Sequence, residues 1–383
     1  MKQYDYIIAG AGCSGLMLAL ELTNSRLKDK SVLIIDQEKK NTNDRTWCFW
    51  ETRENSLEHL VYKSWDVANF YSDDFEQEMD LRPYRYKMIR GIDFYSYVFQ
   101  QISHYPNFEF LEAKIDEIKT HGEVVTDQGR YQATFVFSSY HLVNTLNIPK
   151  SYQTLLQHFK GWVIKTDHDS FDPGKMTYMD FRVAYNRETR FCYVLPFSEK
   201  KALIEYTLFT DTLLEDKAYD EALKHYINNQ LKIGDYQILE EEFGIIPMSD
   251  FPFPQTGGKN VINIGTLGGN TKASTGFTFL RIQKAVKRIT KNLADNKYPL
   301  SPPSLTSKRF RLYDSTLLNV LANETYPAKD IFTELFKKNG PTKVFKFLDE
   351  ETNLLEEISI MNLSPKKQFI KAFFQQVLKI HKL

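Results

Sequence analysis

YDYIIAGAGCSGLMLALEL, residues 4–22, decides how the chain begins to fold. Tyr4 to Ala9 reads as a buried parallel strand, and it runs into Gly10-Ala11-Gly12-Cys13-Ser14-Gly15, a G-x-G-x-x-G turn. An amphipathic helix follows from Leu16, and a second apolar strand, SVLIID, ends on Asp36. Strand, glycine turn, helix, strand and acid, in that order, make a dinucleotide-binding unit. Gly10 permits the tight turn, Gly12 lets backbone approach a pyrophosphate, and Gly15 lets the helix pack on the strand. The helix N-terminus offers free N–H groups and partial positive charge to phosphates. Asp36, about 20 residues on, can accept hydrogen bonds from a ribose. The bland reading is a glycine turn that binds nothing. The motif alone does not separate FAD from NAD.

Working outward, no third βαβ unit follows at once. Residues 41–51, NTNDRTWCFWE, are polar and then aromatic. Arg45 reads equally as a pyrophosphate or ribose ligand and as a solvated loop arginine, while Trp47 and Trp50 read as core. Strands are expected at 65–71 and 84–89 and a helix at 92–104, with Phe94, Val98 and Ile102 on one face. Short strands follow near 108–112, 115–119 and 131–137. Then 160–165, 176–182, 190–197 and 201–209 read as an antiparallel sheet, the last two joined in a hairpin through Phe197-Ser198-Glu199-Lys200. A helix is expected at 213–232. EEEFGIIPM, residues 240–248, reads as a strand entering a turn at Pro247.

Near residue 261 the first domain resumes with a strand and a second glycine loop carrying Gly265, Gly268 and Gly269. Ser274-Thr275-Gly276 is expected to open a long helix there. A second glycine loop at a second helix N-terminus is what a two-part FAD site needs, since helix dipole and N–H groups favour negative charge on the flavin ring. An ordinary strand-to-helix loop is the alternative. The expected division is therefore 1–64, 91–150 and 255–298 for a discontinuous cofactor domain, 65–90 and 151–254 for an inserted antiparallel domain, and 299–383 for a helical region. Its last stretch, SPKKQFIKAFFQQVLKIHKL, carries five lysines and no acid. Phe369, Phe373, Val377 and Ile380 share one face of this helix. Docking on the protein and resting on an anionic membrane surface are both open readings.

Composition narrows the classes. The 383 residues suit two or three domains, and 49 basic against 49 acidic side chains argue against a nucleic-acid partner. Cys13, Cys48 and Cys192 lie far apart, so neither a disulfide framework nor a metal site is expected, and a reducing, cytoplasmic setting is. No apolar run of about 18 residues suggests a membrane span, and the first residues lack the pattern of a secretion signal.

The chain resembles the bacterial flavoprotein lycopene β-cyclases. The resemblance runs through nearly the whole length, on YDYIIAGAGCSGLMLA, DRTWCFWE, YKMIRGIDFYSYV, YVLPFSEKKALIEYTLFT, EFGIIPMSD and GTLGGNTKASTGFTF. It implies an α/β fold: a Rossmann-like FAD domain of the p-hydroxybenzoate hydroxylase kind, with an inserted antiparallel β substrate domain and C-terminal helices. It implies a carotenoid substrate, lycopene, whose open ψ ends close to β-ionone rings, giving β-carotene through γ-carotene. It also implies FAD active in its reduced form, NAD(P)H as electron donor and no net redox change; peripheral membrane contact is expected from the basic C-terminal helix instead. Glu205 matches the family's essential glutamate. A carboxylic acid that protonates an alkene should be neutral beforehand, and burial among apolar side chains keeps it so. Many relatives carry a second acid next to this glutamate; here Tyr206 stands there, which puts a two-carboxylate scheme in doubt. A solvated Glu205, or one paired with Arg182 or Arg190, is the bland reading. Gly265-Thr266 replaces the Gly-Asp usual in hydroxylases, which favours the cyclase branch over a monooxygenase or prenyl reductase of the same fold. A lipid-binding flavoprotein and a nicotinamide dehydrogenase are the remaining rivals.

Overall fold

The computed structural model describes residues 1–140, 148–184, 188–362 and 366–380. They form two compact units. One comprises Met1–Trp47, Ile89–Ser151 and Phe251–Pro303, the other Cys48–Met88, Tyr152–Asp250 and Ser304–Leu383. Residues 48–64 therefore belong with the inserted sheet rather than with the glycine motif, and the C-terminal helices are counted in the second unit instead of standing apart.

In the first unit five parallel strands lie in the order Val261–Asn263, Gly129–Ser138, Lys2–Ala9, Val32–Asp36 and Phe108–Glu112. Ile7, Ile8, Ile34 and Ile35 have no solvent-accessible surface. Their uniformly apolar run is what a parallel strand covered on both faces requires. Thr256–Gly258 adds an antiparallel edge, and Ile115–Ile118 and Glu123–Thr126 extend from Gly129–Ser138. Helix Cys13–Thr23 packs against helices Gly91–Ile102 and Phe279–Ala294. Phe94, Val98 and Ile102 are buried on the second of these helices, the face that periodicity indicates. The long helix after the second glycine loop starts at Phe279, not at Ser274; residues 272–276 form a turn in which the Gly276 and Thr275 N–H groups donate to the Lys272 carbonyl.

The second unit is built on a seven-stranded sheet. Its order is Gln237–Ser249, Thr154–Lys165, Lys201–Thr210, Thr189–Ser198, Lys175–Asp180, Val67–Ser72 and Phe75–Asp80. It is antiparallel apart from the pair Lys175–Asp180 with Val67–Ser72, which runs parallel. The strand through EEEFGIIPM continues past Pro247 to Ser249, because it lies at the sheet edge, where proline costs no ladder hydrogen bond. One face of this sheet carries Trp162, Ile164, Val194, Ile204, Tyr206 and Leu208, packed against Tyr219, Leu223, Tyr226 and Ile227 of helix Asp216–Asn229. On strand Lys175–Asp180, Tyr178 instead meets Phe336 of helix Ala328–Lys338 and Phe345 of helix Pro341–Leu348.

Helix Lys366–Ile380 packs against helix Leu305–Ala322 and buries Ala372 and Gln376, while Phe369, Phe373 and Val377 are half-buried. Ile370, Phe374 and Leu378 are exposed. The docked reading thus accounts for one face of this helix and leaves an apolar stripe on another. Ser364, Pro365 and residues 381–383 of the basic stretch lie outside the described residues.

Candidate active site

The sites marked by the sequence fall in the two units, and each is built locally. In the first, Gly10 sits at φ 101°, a left-handed conformation that favours glycine. A Cβ on Gly15 would stand 2.0 Å from the Gly10 carbonyl oxygen, so the helix approaches the strand only because Gly15 has none. Around Gly12 a Cβ would meet nothing within 4 Å, which leaves the backbone open where a phosphate would pass. Gly12 caps the helix with no side-chain hydrogen bond, so the first-turn N–H groups are not consumed by a capping side chain. Asp36 Oδ2 accepts the Ala11 N–H at 2.6 Å and Oδ1 the Glu38 N–H at 2.9 Å, tying the glycine turn to the end of the second strand.

The second glycine loop reaches the first. Gly265, at φ 63°, lies against Ser14, and a Cβ there would meet the serine Oγ at 2.6 Å. Gly268 faces the Asn263 carbonyl at 2.3 Å in the same sense. Gly269 and Gly276 take φ of 74° and 73°. Thr275 Oγ1 is buried with no hydrogen-bond partner among the described residues. The Arg45 side chain is exposed and donates to the Asp44 carbonyl, while the Arg45 carbonyl accepts from Gly91. Trp50 is buried and Trp47 half-buried, the latter against Phe94, Tyr95 and Phe279. Open backbone at one helix start, a touching second glycine loop and an orphaned buried hydroxyl fit a dinucleotide with a flavin at one end.

In the second unit Glu205 lies on strand Lys201–Thr210, where Ala202–Ile204 and Tyr206–Phe209 are buried and Glu205 keeps partial access. Cross-strand register sets its surroundings. Tyr193 pairs with Glu205, Glu205 with Gly161, and Gly161 with Glu242. Directly opposed residues share a face, so these four make one row across four strands. Gly161 leaves room at the centre: a Cβ there would meet Glu242 Cγ at 3.0 Å. The carboxyl groups of Glu205 and Glu242 approach each other over this gap, near enough for the charge of one to act on the other. Thr207 Oγ1 donates to Glu205 Oε1 at 2.7 Å. The thiol of Cys48 and the hydroxyl of Tyr86 lie close enough to feel the charge of Glu205. Tyr178 stands edge-on to both Tyr86 and Tyr193, at 5.8 and 6.0 Å.

Burial, then the negative charge of Glu242, pushes the Glu205 carboxyl up to about 8, against the lowering effect of the Thr207 hydroxyl. Burial likewise pushes Cys48, Tyr86 and Tyr193 well up, so these groups are uncharged at neutral pH. Neither arginine neutralises Glu205: Arg182 pairs with Asp180, and Arg190 with Glu188 and the Tyr206 hydroxyl. Tyr206 itself points to the face covered by helix Asp216–Asn229. Glu242 is the residue that sequence reasoning passed over. The one signal for it was Gly161, a glycine in the interior of strand Thr154–Lys165, which marks a close approach.

The raised carboxyl carries a stability consequence. Folded protein keeps a proton at Glu205 that the unfolded chain releases above the ordinary glutamate value of 4.5, so this group's contribution to stability declines as pH rises from 4.5 to about 8. Glu205→Gln is expected to be more stable than the parent chain by on the order of 2 kcal/mol at about pH 9, with the gap closing at about pH 5. Urea unfolding of the two proteins at both pH values measures this. An equal gap at both would contradict a protonated Glu205.

The family model described as "Lycopene cyclase protein" matches residues 5–374. The chain belongs to this family. Among curated relatives of this lycopene cyclase family protein, the chloroplastic neoxanthin synthase of Solanum lycopersicum is 24% identical over 309 residues, which are 73% of this chain and 58% of that protein. The chloroplastic lycopene beta cyclase of Arabidopsis thaliana is 24% identical over 331 residues, 78% of this chain and 62% of that one. The match thus spans about three-fifths of the length of these relatives. A flavoprotein/dehydrogenase structure from Cytophaga hutchinsonii superposes with a TM-score of 0.64 at 12% identity and covers 100% of both chains. The fold is that of flavin-dependent enzymes: a Rossmann-like dinucleotide domain, an inserted sheet domain and C-terminal helices.

Proposed function

We propose that this member of the family is a lycopene β-cyclase that binds FAD at the two glycine loops and uses Glu205 as the acid that starts ring closure. The observation that carries the reading is a carboxyl held neutral on a sheet face lined by Tyr193, Tyr86 and Cys48. Glu205 gives its proton to the less substituted carbon of a terminal C=C, leaving a tertiary cation. The neighbouring double bond attacks that cation, and loss of an adjacent proton places the double bond of the β-ionone ring. No electron enters or leaves, so the reaction is an isomerisation. Each ψ end reacts in turn, through γ-carotene to β-carotene. The aromatic faces of Tyr86, Tyr178 and Tyr193 stabilise positive charge without offering water to trap it. Gly10, Gly12, Gly15, Asp36, Gly265, Gly268, Gly269, Thr275 and Gly276 hold the cofactor, with Arg45 at its margin. Reduced FAD supplies electron-rich, negatively charged character to the reaction, with NAD(P)H as its donor.

We also propose that the protein works as a peripheral enzyme at the cytoplasmic membrane surface, where an apolar polyene would be found. Ile370, Phe374 and Leu378, beside Lys367 and Lys371, form an exposed apolar stripe flanked by positive charge. Among the described residues no helix is long and apolar enough to cross a membrane.

Expression in a lycopene-making bacterial host tests the reading. The cells should turn from red to orange-yellow, with β-carotene and its monocyclic precursor identified by chromatography. In reconstituted reactions NADPH consumed per ring formed should fall towards zero. Stoichiometric consumption would assign the chain to reductase or monooxygenase chemistry instead.

A further inference from the structure

Glu242 has no assigned part in this chemistry, yet it meets Glu205 across the single position in the row that lacks a side chain. Gly161 is opposed by Glu205 on one side and by Glu242 on the other. Two carboxyl groups two strands apart can touch only by leaning over the strand between them. The approach is sheltered: Glu242 Oε1 is buried, and the Glu242 carboxyl is near enough to raise the proton affinity of Glu205. Like charges at such a distance cannot both persist out of water, so one proton is retained between them.

We propose that Glu205 and Glu242 form one proton-sharing carboxyl pair over Gly161, in which Glu242 is the second catalytic acid–base group of the cyclisation. This deepens the reading above and rests on it. In the resting pair Glu205 carries the proton and Glu242 is ionised. When the Glu205 O–H bond breaks and the new C–H bond forms on the terminal alkene, two carboxylates are left side by side. That arrangement is strained in the absence of a cation and favoured in the presence of one, so it stabilises the carbocation that the transfer creates. Ring closure then forms the C–C bond. The adjacent C–H bond breaks, its electron pair becomes the ring double bond, and its proton returns to the pair. Protons balance, no oxidant or reductant is consumed, and the pair is reset for the second end. Tyr206, in the position where many relatives carry an acid, is packed on the opposite face and takes no part. Other titratable groups near the pair are Cys48 and Tyr86 from strands Thr46–Glu51 and Arg85–Arg90 and Tyr193 from the sheet itself, with Tyr178 packed against the two tyrosines; burial keeps all four uncharged. Lys87, on the same strand as Tyr86, is paired with Glu51 and Glu58.

The test uses the FAD-loaded full chain and two readouts. Infrared titration without substrate should show a protonated-carboxyl C=O band in the parent protein that outlasts ordinary glutamate titration. The band should be absent in Glu205→Gln and should titrate at lower pH in Glu242→Gln, where the repelling charge is gone. Steady-state cyclisation with chemically reduced flavin should give a bell-shaped pH profile. Glu242→Gln should lower kcat by about 10²-fold at unchanged KM, lose the acidic limb and shift the basic limb downward. Gly161→Ala keeps both acids but wedges a methyl group against Glu242, and it should shift the infrared titration in the same direction. A carboxyl band indifferent to both substitutions, or a Glu242→Gln enzyme with the parent's rate and both limbs, would overturn the pair. A coupled band in a protein that cyclises nothing would leave the pair standing and remove the cyclase reading.

Discussion

Glu205→Gln is expected to abolish ring formation, lowering the rate by about 10²- to 10⁴-fold, while the purified protein keeps its flavin. The amide has the shape of the carboxyl and accepts the Thr207 hydroxyl just as the acid does, so the sheet has no reason to distort. What is lost is the dissociable proton, and a terminal alkene is too weak a base to take one from anything less acidic. The flavin loops lie on separate segments of chain, 10–15 and 265–276, which predicts an unchanged FAD-to-protein ratio. Chromatography of the products with reduced flavin and the absorbance spectrum of the protein provide the two measurements. A variant that retained more than about a tenth of the parent rate would show that another group donates the proton.

The second large effect concerns Gly15, and it separates two roles that glycines play in one turn. Gly15→Ala places a methyl carbon 2.0 Å from the Gly10 carbonyl oxygen and 3.0 Å from Ile8. Neither can retreat, because the Gly10 N–H is bonded to the Ile35 carbonyl and the Ala11 N–H to Asp36. A loss of about 3 kcal/mol or more, with no flavin retained, is expected. Gly12→Ala should behave differently. Its φ of −76° suits any residue and the added carbon meets nothing within 4 Å. The flavin-free variant should therefore melt at the parent temperature and fail only in binding FAD. Thermal unfolding with and without added FAD distinguishes the two, and a Gly12→Ala protein that still bound FAD at parent affinity would move the pyrophosphate away from this turn.

Much of the first unit was legible because its signals are local. The apolar run before Gly10, the glycine spacing and the acid at 36 all lie within one βαβ unit, and each has a steric or hydrogen-bonding reason that holds wherever the rest of the chain goes. The strands at 190–197 and 201–209 were readable for the same reason, through alternation and a short turn. Glu205 stood out as a charge in an apolar run. Glu242 did not, because it sits among Glu240 and Glu241 on an edge strand, where acidic side chains ordinarily face water. Only the register across Gly161 distinguishes it, and register is set by pairing between segments some 80 residues apart in the chain, 154–165 against 237–249. The boundary near Trp47 was missed for a related reason: residues 46–51 carry a strand whose partner, Arg85–Arg90, lies further on in the sequence. The start of helix Phe279–Ala294 was misplaced because Ser-Thr-Gly resembles a cap, whereas Gly276 at positive φ continues the turn.

The row of Tyr193, Glu205, Gly161 and Glu242 makes the chemistry digital in one respect. Side chains on a strand alternate, so a slip of one residue between neighbouring strands would send one carboxyl to the helix-covered side and leave the other behind. No intermediate degree of misalignment exists to give a weakened pair. Lengthening the Glu199-Lys200 turn by one residue is thus tolerable only if the extra residue bulges out. If it is drawn into the ladder on the Lys201–Thr210 side, Ile204, Tyr206 and Leu208 leave the helix-covered face as Glu205 enters it, and the proton relay is lost together with that part of the core.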